Sequence, residues 1–206
     1  GWGASAGEDA AGVECELGPA LIGTDPLAVE RHAPAIRRSG AWLVDMALCD
    51  IVGKSVERPL HLLWGRFQTS IRAYASTIVA ATPEQRADDA LRYLEQGFTA
   101  IKLRTAHPTM AEDLHLVEAV RQAVGDRMDI MLDANLASGV RPNDHRPAWD
   151  YERALATARE LQQLGVIWLE EPLPRHDFDA IARLTAETEI QIAGGEGNRG
   201  IEQFAH

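Results

Sequence analysis

The chain has 206 residues, 46% of them hydrophobic and 25% charged, which is the composition of an ordinary globular protein with one large domain or two small ones. The net charge of −11 and the lack of an arginine-rich tract exclude nucleic acid as an expected partner. No apolar run approaches the roughly 18 residues of a membrane span, and no charged-then-apolar leader opens the chain. We therefore expect no membrane partner and a cytoplasmic location, with Cys15 and Cys49 buried and reduced.

Residues 1–67 are predicted to be mainly helical. Asp25 precedes a proline at a first helical position, and Ser39 precedes a broad apolar face with the period of a helix. The patterns predict one short strand followed by three helices, at residues 13–17, 25–36, 39–53 and 59–64. We interpret residues 1–67 as part of an N-terminal capping domain.

From Ile71 onwards, predicted strands alternate with predicted helices. Apolar, β-branched runs predict strands at residues 71–76, 98–104, 129–133, 166–170 and 190–194. Helices are predicted between them, at residues 82–97, 109–125, 150–164 and 177–187. The first two of these helices begin with the capping-box pattern, at Thr82 and Thr109.

This alternation predicts a parallel sheet with right-handed crossovers. The glycine fingerprint of dinucleotide-binding sheets is absent from the sequence, so a barrel is favoured over an open sheet. A whole barrel needs about 200 to 250 residues. We therefore expect residues 68–206 to form a partial TIM-like barrel of the α/β class, with about five βα units, and the chain to be truncated at both ends.

Acidic residues end three successive predicted strands. Asp133 ends the third, Glu170 ends the fourth, and Glu196 follows the fifth. The carboxyl ends of parallel barrel strands meet at one mouth, and three carboxylates without Cys or His suit Mg²⁺. Asn135 and Glu171 are expected to support these ligands without binding the ion, Glu171 from the opposite side of its strand. The alternative is that the acids only cap helices and solvated turns.

Two cations share a face of the second predicted strand. Lys102 and Arg104 are expected beside the metal, where they could bind a substrate carboxylate or stabilise an enolate. The alternative is that one of them is a surface residue at the strand end. Three histidines in predicted loops at the barrel mouth are candidates for substrate contact: His176, His145 and His107. Two others, His61 and His115, are expected on helix surfaces.

Four segments together resemble the enolase superfamily, specifically its mandelate racemase-like branch. They are Ala-Ile-Lys-Leu-Arg at 100–104, Met-Leu-Asp-Ala-Asn at 131–135, Trp-Leu-Glu-Glu-Pro at 168–172 and Gly-Gly-Glu-Gly-Asn at 194–198. The resemblance extends through residues 21–65. It implies a modified (β/α)₇β barrel, an α+β capping domain, and an essential Mg²⁺ at Asp133, Glu170 and Glu196. It also implies removal of the proton α to a carboxylate, giving a metal-stabilised enediolate.

Arg104 departs from the pattern of many members, whose second strand ends Lys-x-Lys with the second lysine as a base. A guanidinium is not deprotonated in proteins, so Arg104 is expected to bind and polarise, and Lys102 to contact the substrate carboxylate. Racemisation requires a base on each face of the carbon. The resemblance therefore favours dehydration of an acid sugar, with a histidine–aspartate base on strands beyond His206.

The alternatives are a racemase or epimerase, a cycloisomerase, or a catalytically inactive truncated barrel. We expect no turnover from residues 1–206 alone, and association of the chain through its open sheet edges. The expected partner is a small carboxylate substrate, a sugar acid, and the full-length form is expected to be a homo-oligomer.

Overall fold

The computed structural model describes residues 1–4, 10–104, 107–138, 148–198 and 201–205. The chain forms two compact units, Gly1–Ile71 and Arg72–His206. The domain boundaries drawn from the sequence, 1–67 and 68–206, stay a prediction. Among the described helices, none is both long and apolar enough to cross a membrane.

The first unit contains four helices in its described part: α1 (Ala10–Leu21), α2 (Val29–Ser39), α3 (Trp42–Ser55) and α4 (Leu60–Leu63). The predicted strand at 13–17 is wrong, because these residues lie within α1. Their polar–apolar alternation is typical of a strand, but the alanines and leucines around them favour a helix. Leu17 is the buried member of this stretch, whereas Cys15 is exposed, which corrects the prediction for that thiol. Cys49 is half-buried.

Ser39 does not cap the third helix, contrary to the prediction. It is the last residue of α2, and its hydroxyl donates to the carbonyl of Ile36. The helix ends there because Gly40 adopts a left-handed conformation with φ 71°. Helix α3 then begins after Ala41, which offers no side-chain cap, and continues past the predicted end at Gly53.

The second unit alternates strands and helices, as predicted. Its strands and helices, in chain order, are β1 (Ala75–Ser76), α5 (Pro83–Glu95), β2 (Ala100–Arg104), α6 (Met110–Val124), β3 (Asp129–Asp133), α7 (Tyr151–Gln163), β4 (Val166–Glu170), α8 (Phe178–Glu187) and β5 (Gln191–Ala193). Both predicted capping boxes are present, at Thr82 and at Thr109. Short 3-10 turns at Gly125–Arg127 and Ile201–Gln203 complete the described elements.

The five strands pair in parallel in the order β1-β2-β3-β4-β5. This is the predicted partial barrel, in which each strand pairs with the next one along the chain. The register pairs Arg104 with Asp133, and Asp133 with Glu170, so their side chains start from one level at the carboxyl ends of the strands. Glu170 pairs in turn with Ala193, which places the segment after β5 at the same level.

The core lies between the sheet and its helices. Ile101, Leu103, Ile130, Leu132 and Leu169 are fully buried in one hydrophobic cluster with residues of the helices. Side chains alternate along a strand, so the residues between these point to the opposite face. That face carries the functional candidates of the sequence: Lys102, Arg104, Asp133 and Glu170.

Candidate active site

Three carboxylates converge at the carboxyl end of the sheet. Asp133, Glu170 and Glu196 each offer one oxygen, and these oxygens lie within 4.8 Å of one another. Asp133 is buried, Glu170 is half-buried and Glu196 is exposed, so the group opens to solvent on one side. The structure thus brings together the three residues that the strand-end pattern predicted as ligands.

The donor set of this group fits a hard divalent cation, because it consists of carboxylate oxygens alone. A fourth carboxylate, Glu171, is affected by the negative charges of this group. Burial, followed by the charges of Asp133, Glu196 and Glu170, raises the pKa of Glu171 above its ordinary value. One of its oxygens, Oε1, is buried without a hydrogen-bond partner in the described structure. A bound cation would neutralise this excess of charge.

Lys102 bridges two of the three carboxylates. Its Nζ lies 3.0 Å and 3.1 Å from the two carboxylate oxygens of Glu170 and 3.3 Å from Oδ2 of Asp133. Burial by itself lowers the pKa of Lys102, but the hydrogen bond to Glu170 and the charges of Asp133 and Glu170 outweigh burial, and the pKa is raised. Lys102 therefore remains an ammonium at neutral pH.

Arg104 lies on the same face of β2 as Lys102, as predicted, but further towards solvent. Its Nη2 is 3.9 Å from Oδ2 of Asp133, and its side chain is 37% exposed. One alternative is that one of the two cations is a surface residue at the strand end. Lys102 is not such a residue, because its side chain is only 12% exposed.

Asn135 and Glu171 occupy left-handed backbone conformations directly beyond β3 and β4, with φ 50° and 48°. Asn135 donates to both oxygens of Asp133, from its backbone N–H and from Nδ2, each at 2.9 Å. Glu171 donates its backbone N–H to the carbonyl of Ala193 and accepts from the N–H of Leu136. Such conformations are costly for non-glycine residues and concentrate at functional sites. Here they extend the pairing of β3, β4 and β5 past the strand ends.

Glu171 lines a cavity of about 190 Å³ together with Phe178 and Ile181 of α8. Glu170, the preceding residue, contacts Lys102 instead. The two carboxylates therefore point to different sides of the strand, as the sequence predicted.

No histidine among the described residues belongs to the carboxylate group. His176 is exposed and packs edge-to-face on Phe178, with ring centroids 6.3 Å apart. His107 instead bonds Asp113 through Nδ1 at 3.0 Å. His145 lies outside the described residues. His61 and His115 are exposed on helices, as predicted.

Two aromatic residues that the sequence patterns did not predict for the site lie beside the carboxylates. Trp168 donates its indole N–H to Oε2 of Glu170 at 3.1 Å. The ring of Tyr74 lies 5.6 Å from Nζ of Lys102. Strand alternation was sufficient to place Trp168 and Glu170 on one face, because they are two residues apart on β4. No local pattern relates Tyr74 to Lys102.

Sequence comparisons relate the chain to known proteins. The family model "Enolase C-terminal domain-like" matches residues 85–206. The chain is 32% identical over 195 residues to L-talarate/galactarate dehydratase from Salmonella typhimurium, covering 88% of this chain and 46% of that protein. It is 33% identical over 156 residues to arabinonate dehydratase from Saccharolobus solfataricus, covering 74% of this chain and 39% of that one. The chain thus spans about half the length, or less, of these curated relatives.

Solved structures show the same relationship. A racemase from Streptomyces coelicolor, crystallised with bound magnesium, superposes with a TM-score of 0.84 at 28% identity, covering 97% of this chain and 62% of that one. The 3,6-anhydro-D-galactonate cycloisomerase from Zobellia galactanivorans superposes with a TM-score of 0.78 at 30% identity, covering 95% and 56%. The chain therefore belongs to the enolase superfamily and to its mandelate racemase-like branch, as its four motifs predicted.

Proposed function

We propose that this chain provides the metal-binding and carboxylate-binding part of an active site that removes the proton α to the carboxylate of an acid sugar and then eliminates water. The observation that carries the proposal is the convergence of three carboxylate oxygens within 4.8 Å, with the Lys102 ammonium against two of them. Dehydratases of sugar acids among the relatives support the choice of substrate class.

We propose Mg²⁺ as the ion, held by Asp133, Glu170 and Glu196. The ligands are all oxygens, which suits Mg²⁺, a hard cation that enzymes bind through carboxylates together with an anionic substrate. A relative of the same fold binds magnesium, which supports this assignment. When bound, the ion supplies positive charge that stabilises the enediolate form of the substrate.

Lys102 and Arg104 are proposed to bind and polarise the substrate, not to remove its proton. The raised pKa of Lys102 keeps it charged at neutral pH, which suits it to hold a carboxylate beside the metal ligands. Arg104 stays protonated because its guanidinium cannot lose a proton in a protein. The α-proton must therefore pass to another base, for which the superfamily resemblance suggests a histidine backed by an aspartate.

Dehydration is proposed over racemisation because of Arg104. Racemisation needs a group on each face of the carbon that can both take and give a proton, and a guanidinium cannot do this. In dehydration, one base takes the α-proton and can return a proton to the leaving β-hydroxyl, which departs as water. The substrate thus loses a hydroxyl group and a proton, which together make one molecule of water.

The metal assignment is tested by isothermal titration of Mg²⁺ into the wild-type chain and its Glu170→Gln variant. We expect heat of binding from the wild type and at least about tenfold weaker binding by the variant, because a ligand charge is lost. Glu95→Gln, at the exposed end of α5, removes an equal charge away from the group and is expected to bind as the wild type does. Equal heats of binding from the wild type and Glu170→Gln would contradict the metal assignment.

A cycloisomerase is the second candidate, since the 3,6-anhydro-alpha-L-galactonate cycloisomerase from Streptomyces coelicolor is 33% identical over 165 residues. The two reactions differ in mass balance. Dehydration gives a product lighter than the substrate by one water, whereas cycloisomerisation leaves the mass unchanged. Mass spectrometry of the whole protein's products with sugar acids in ordinary water distinguishes them. In deuterium oxide, α-deuteration of the substrate without loss of water would favour an epimerase.

A further inference from the structure

Trp168 is tied to the metal-ligand candidate of its own strand. It lies two residues before Glu170 on β4, and its Nε1 donates to Oε2 of Glu170 at 3.1 Å. An indole nitrogen is a donor only, so this contact has one polarity whatever the state of the carboxylate. A hydrogen bond to an ionised acceptor is stronger than one between neutral groups. This hydrogen bond therefore favours one orientation of the Glu170 carboxylate.

Tyr74 makes the matching contacts on the other side of Lys102. Its ring packs edge-to-face on Trp168, with centroids 5.8 Å apart at 77°, and Nζ of Lys102 lies 5.6 Å from its centroid. Tyr74 thus touches Trp168 and Lys102, while Trp168 and Lys102 both touch Glu170. The four side chains form a closed ring of contacts between the segment leading into β1 and strands β2 and β4. We call Tyr74 and Trp168 the aromatic pair.

We propose that the aromatic pair positions Glu170 and Lys102, so that one carboxylate and one ammonium are held ready for the ion and the substrate. The proposal rests on the function proposed above and adds two positioning residues to it. Glu170 lies close to Asp133 and Glu196, whose negative charges favour rotation of its side chain away from the group. The indole donor and the ammonium oppose that rotation. Outer partners that orient metal ligands typically change metal affinity by about 10- to 100-fold when removed.

The alternative to positioning is that Tyr74 and Trp168 only pack against their neighbours, a role that would require their rings but not the indole N–H. Trp168 is only half-buried and Tyr74 is 37% exposed, so neither is a fully buried core residue. A packing role would be satisfied by phenylalanine at residue 168, whereas the positioning role requires the indole N–H. The two roles therefore predict opposite results for Trp168→Phe.

The test is titration of Mg²⁺ into the full chain, read by calorimetry and by tryptophan fluorescence. We expect Trp168→Phe to bind Mg²⁺ about tenfold more weakly than the wild type. The matched control is Trp149→Phe, which alters a buried tryptophan of the same unit that stacks on Arg153, and we expect its Mg²⁺ affinity to be unchanged. The change in tryptophan emission on adding Mg²⁺ should disappear in Trp168→Phe and persist in Trp149→Phe.

Tyr74 supplies a second, independent comparison. Tyr74→Phe keeps the ring and should bind Mg²⁺ as the wild type does, whereas Tyr74→Leu removes the ring and should weaken binding several-fold. If Trp168→Phe loses cooperative unfolding by circular dichroism, the two Tyr74 variants decide the proposal alone.

Affinity of Trp168→Phe within about twofold of a wild type that does bind Mg²⁺ would overturn the positioning role and leave the proposed function standing. Equal affinities for Tyr74→Phe and Tyr74→Leu would overturn the part assigned to Tyr74. Absence of any binding heat from the wild type would overturn both this inference and the metal assignment on which it rests.

Discussion

Asp133 shows how single residues prepare the site. Its side chain is 1% exposed, and a carboxylate buried to this degree must be paired, hydrogen-bonded or bound to a cation. Asn135 provides two of its hydrogen bonds, and Lys102 provides opposite charge at 3.3 Å. The carboxylate is thus held in one orientation by donors from its own loop and from the neighbouring strand.

Asn135 itself combines a side-chain role with a backbone role, and the two can be separated. Asn135→Gly keeps the left-handed backbone accessible and loses the amide, whereas Asn135→Ala loses the amide and strains the backbone. We expect the free energy of unfolding of Asn135→Ala to be lower than that of Asn135→Gly by about 1 kcal/mol. Urea unfolding of both variants without metal measures this difference. An alanine variant as stable as the glycine variant would show that φ 50° carries no strain here.

The sequence was sufficient to identify the ligand candidates but not the contacts between strands. Asp133 and Glu170 each end an apolar run, so alternation and strand polarity place them together at one end of a parallel sheet. The contact of Tyr74 with Lys102 depends instead on the register in which β1 pairs with β2. That register is set by tertiary pairing, which no local spacing encodes.

Strands β3 and β4 lie at the residues that the sequence predicted, because each is an apolar run that ends in a carboxylate. β1 is shorter than predicted: Ala75 and Ser76 pair with β2, while Ile71 is exposed. The polar–apolar pattern of residues 71–76 is compatible with a strand. Arg72, however, contacts its neighbours Thr99 and Asp129 through its side chain and lies outside the paired backbone of β1. Pairing on one side only gives such an edge segment little support.

Asp113 joins two helices and a connecting segment of the second unit. It is buried on α6 and accepts from Nδ1 of His107, in the segment after β2, and from Nη2 of Arg153 on α7. Arg153 also donates to the carbonyl of Pro108 and stacks on Trp149. Burial raises the pKa of Asp113 above its ordinary value of 3.8, and the hydrogen bonds from His107 and the charge of Arg153 offset burial only in part.

A raised pKa in the folded state predicts the sign of a pH dependence. Between pH 3.8 and the folded pKa, the folded chain holds the Asp113 proton more tightly than the unfolded chain does, so the stability contributed by Asp113 falls as pH rises through this window. We therefore expect the stability of the wild type relative to Asp113→Asn to decrease from acid towards neutral pH. Urea unfolding of both proteins across that range measures it. A relative stability that increases with pH would mean that His107 and Arg153 outweigh burial.

At the scale of the whole molecule, the described sheet has two edges, β1 and β5, whose outer sides pair with no described strand. Large apolar side chains of the same unit are exposed nearby in sequence, including Val79 at 79% and Phe204 at 64%. Open edges and exposed apolar surface favour association.

Size-exclusion chromatography of the 206-residue chain tests this expectation. We expect species larger than the 22.5 kDa monomer, with their share growing as concentration rises. Val79→Lys should reduce that share, while Gln96→Lys, which adds the same charge at an exposed helix end, should not. A monodisperse monomer at every concentration would contradict the expectation.

The proposed function depends above all on Asp133, Glu170 and Glu196 sharing one ion. The most direct measurement is an anomalous difference map from crystals of the chain soaked in Mn²⁺, which occupies oxygen sites of the same kind as Mg²⁺. We expect one strong peak within about 2.0–2.4 Å of an oxygen from each of the three carboxylates. A peak that touches only one or two of them, or none at this end of the sheet, would contradict it.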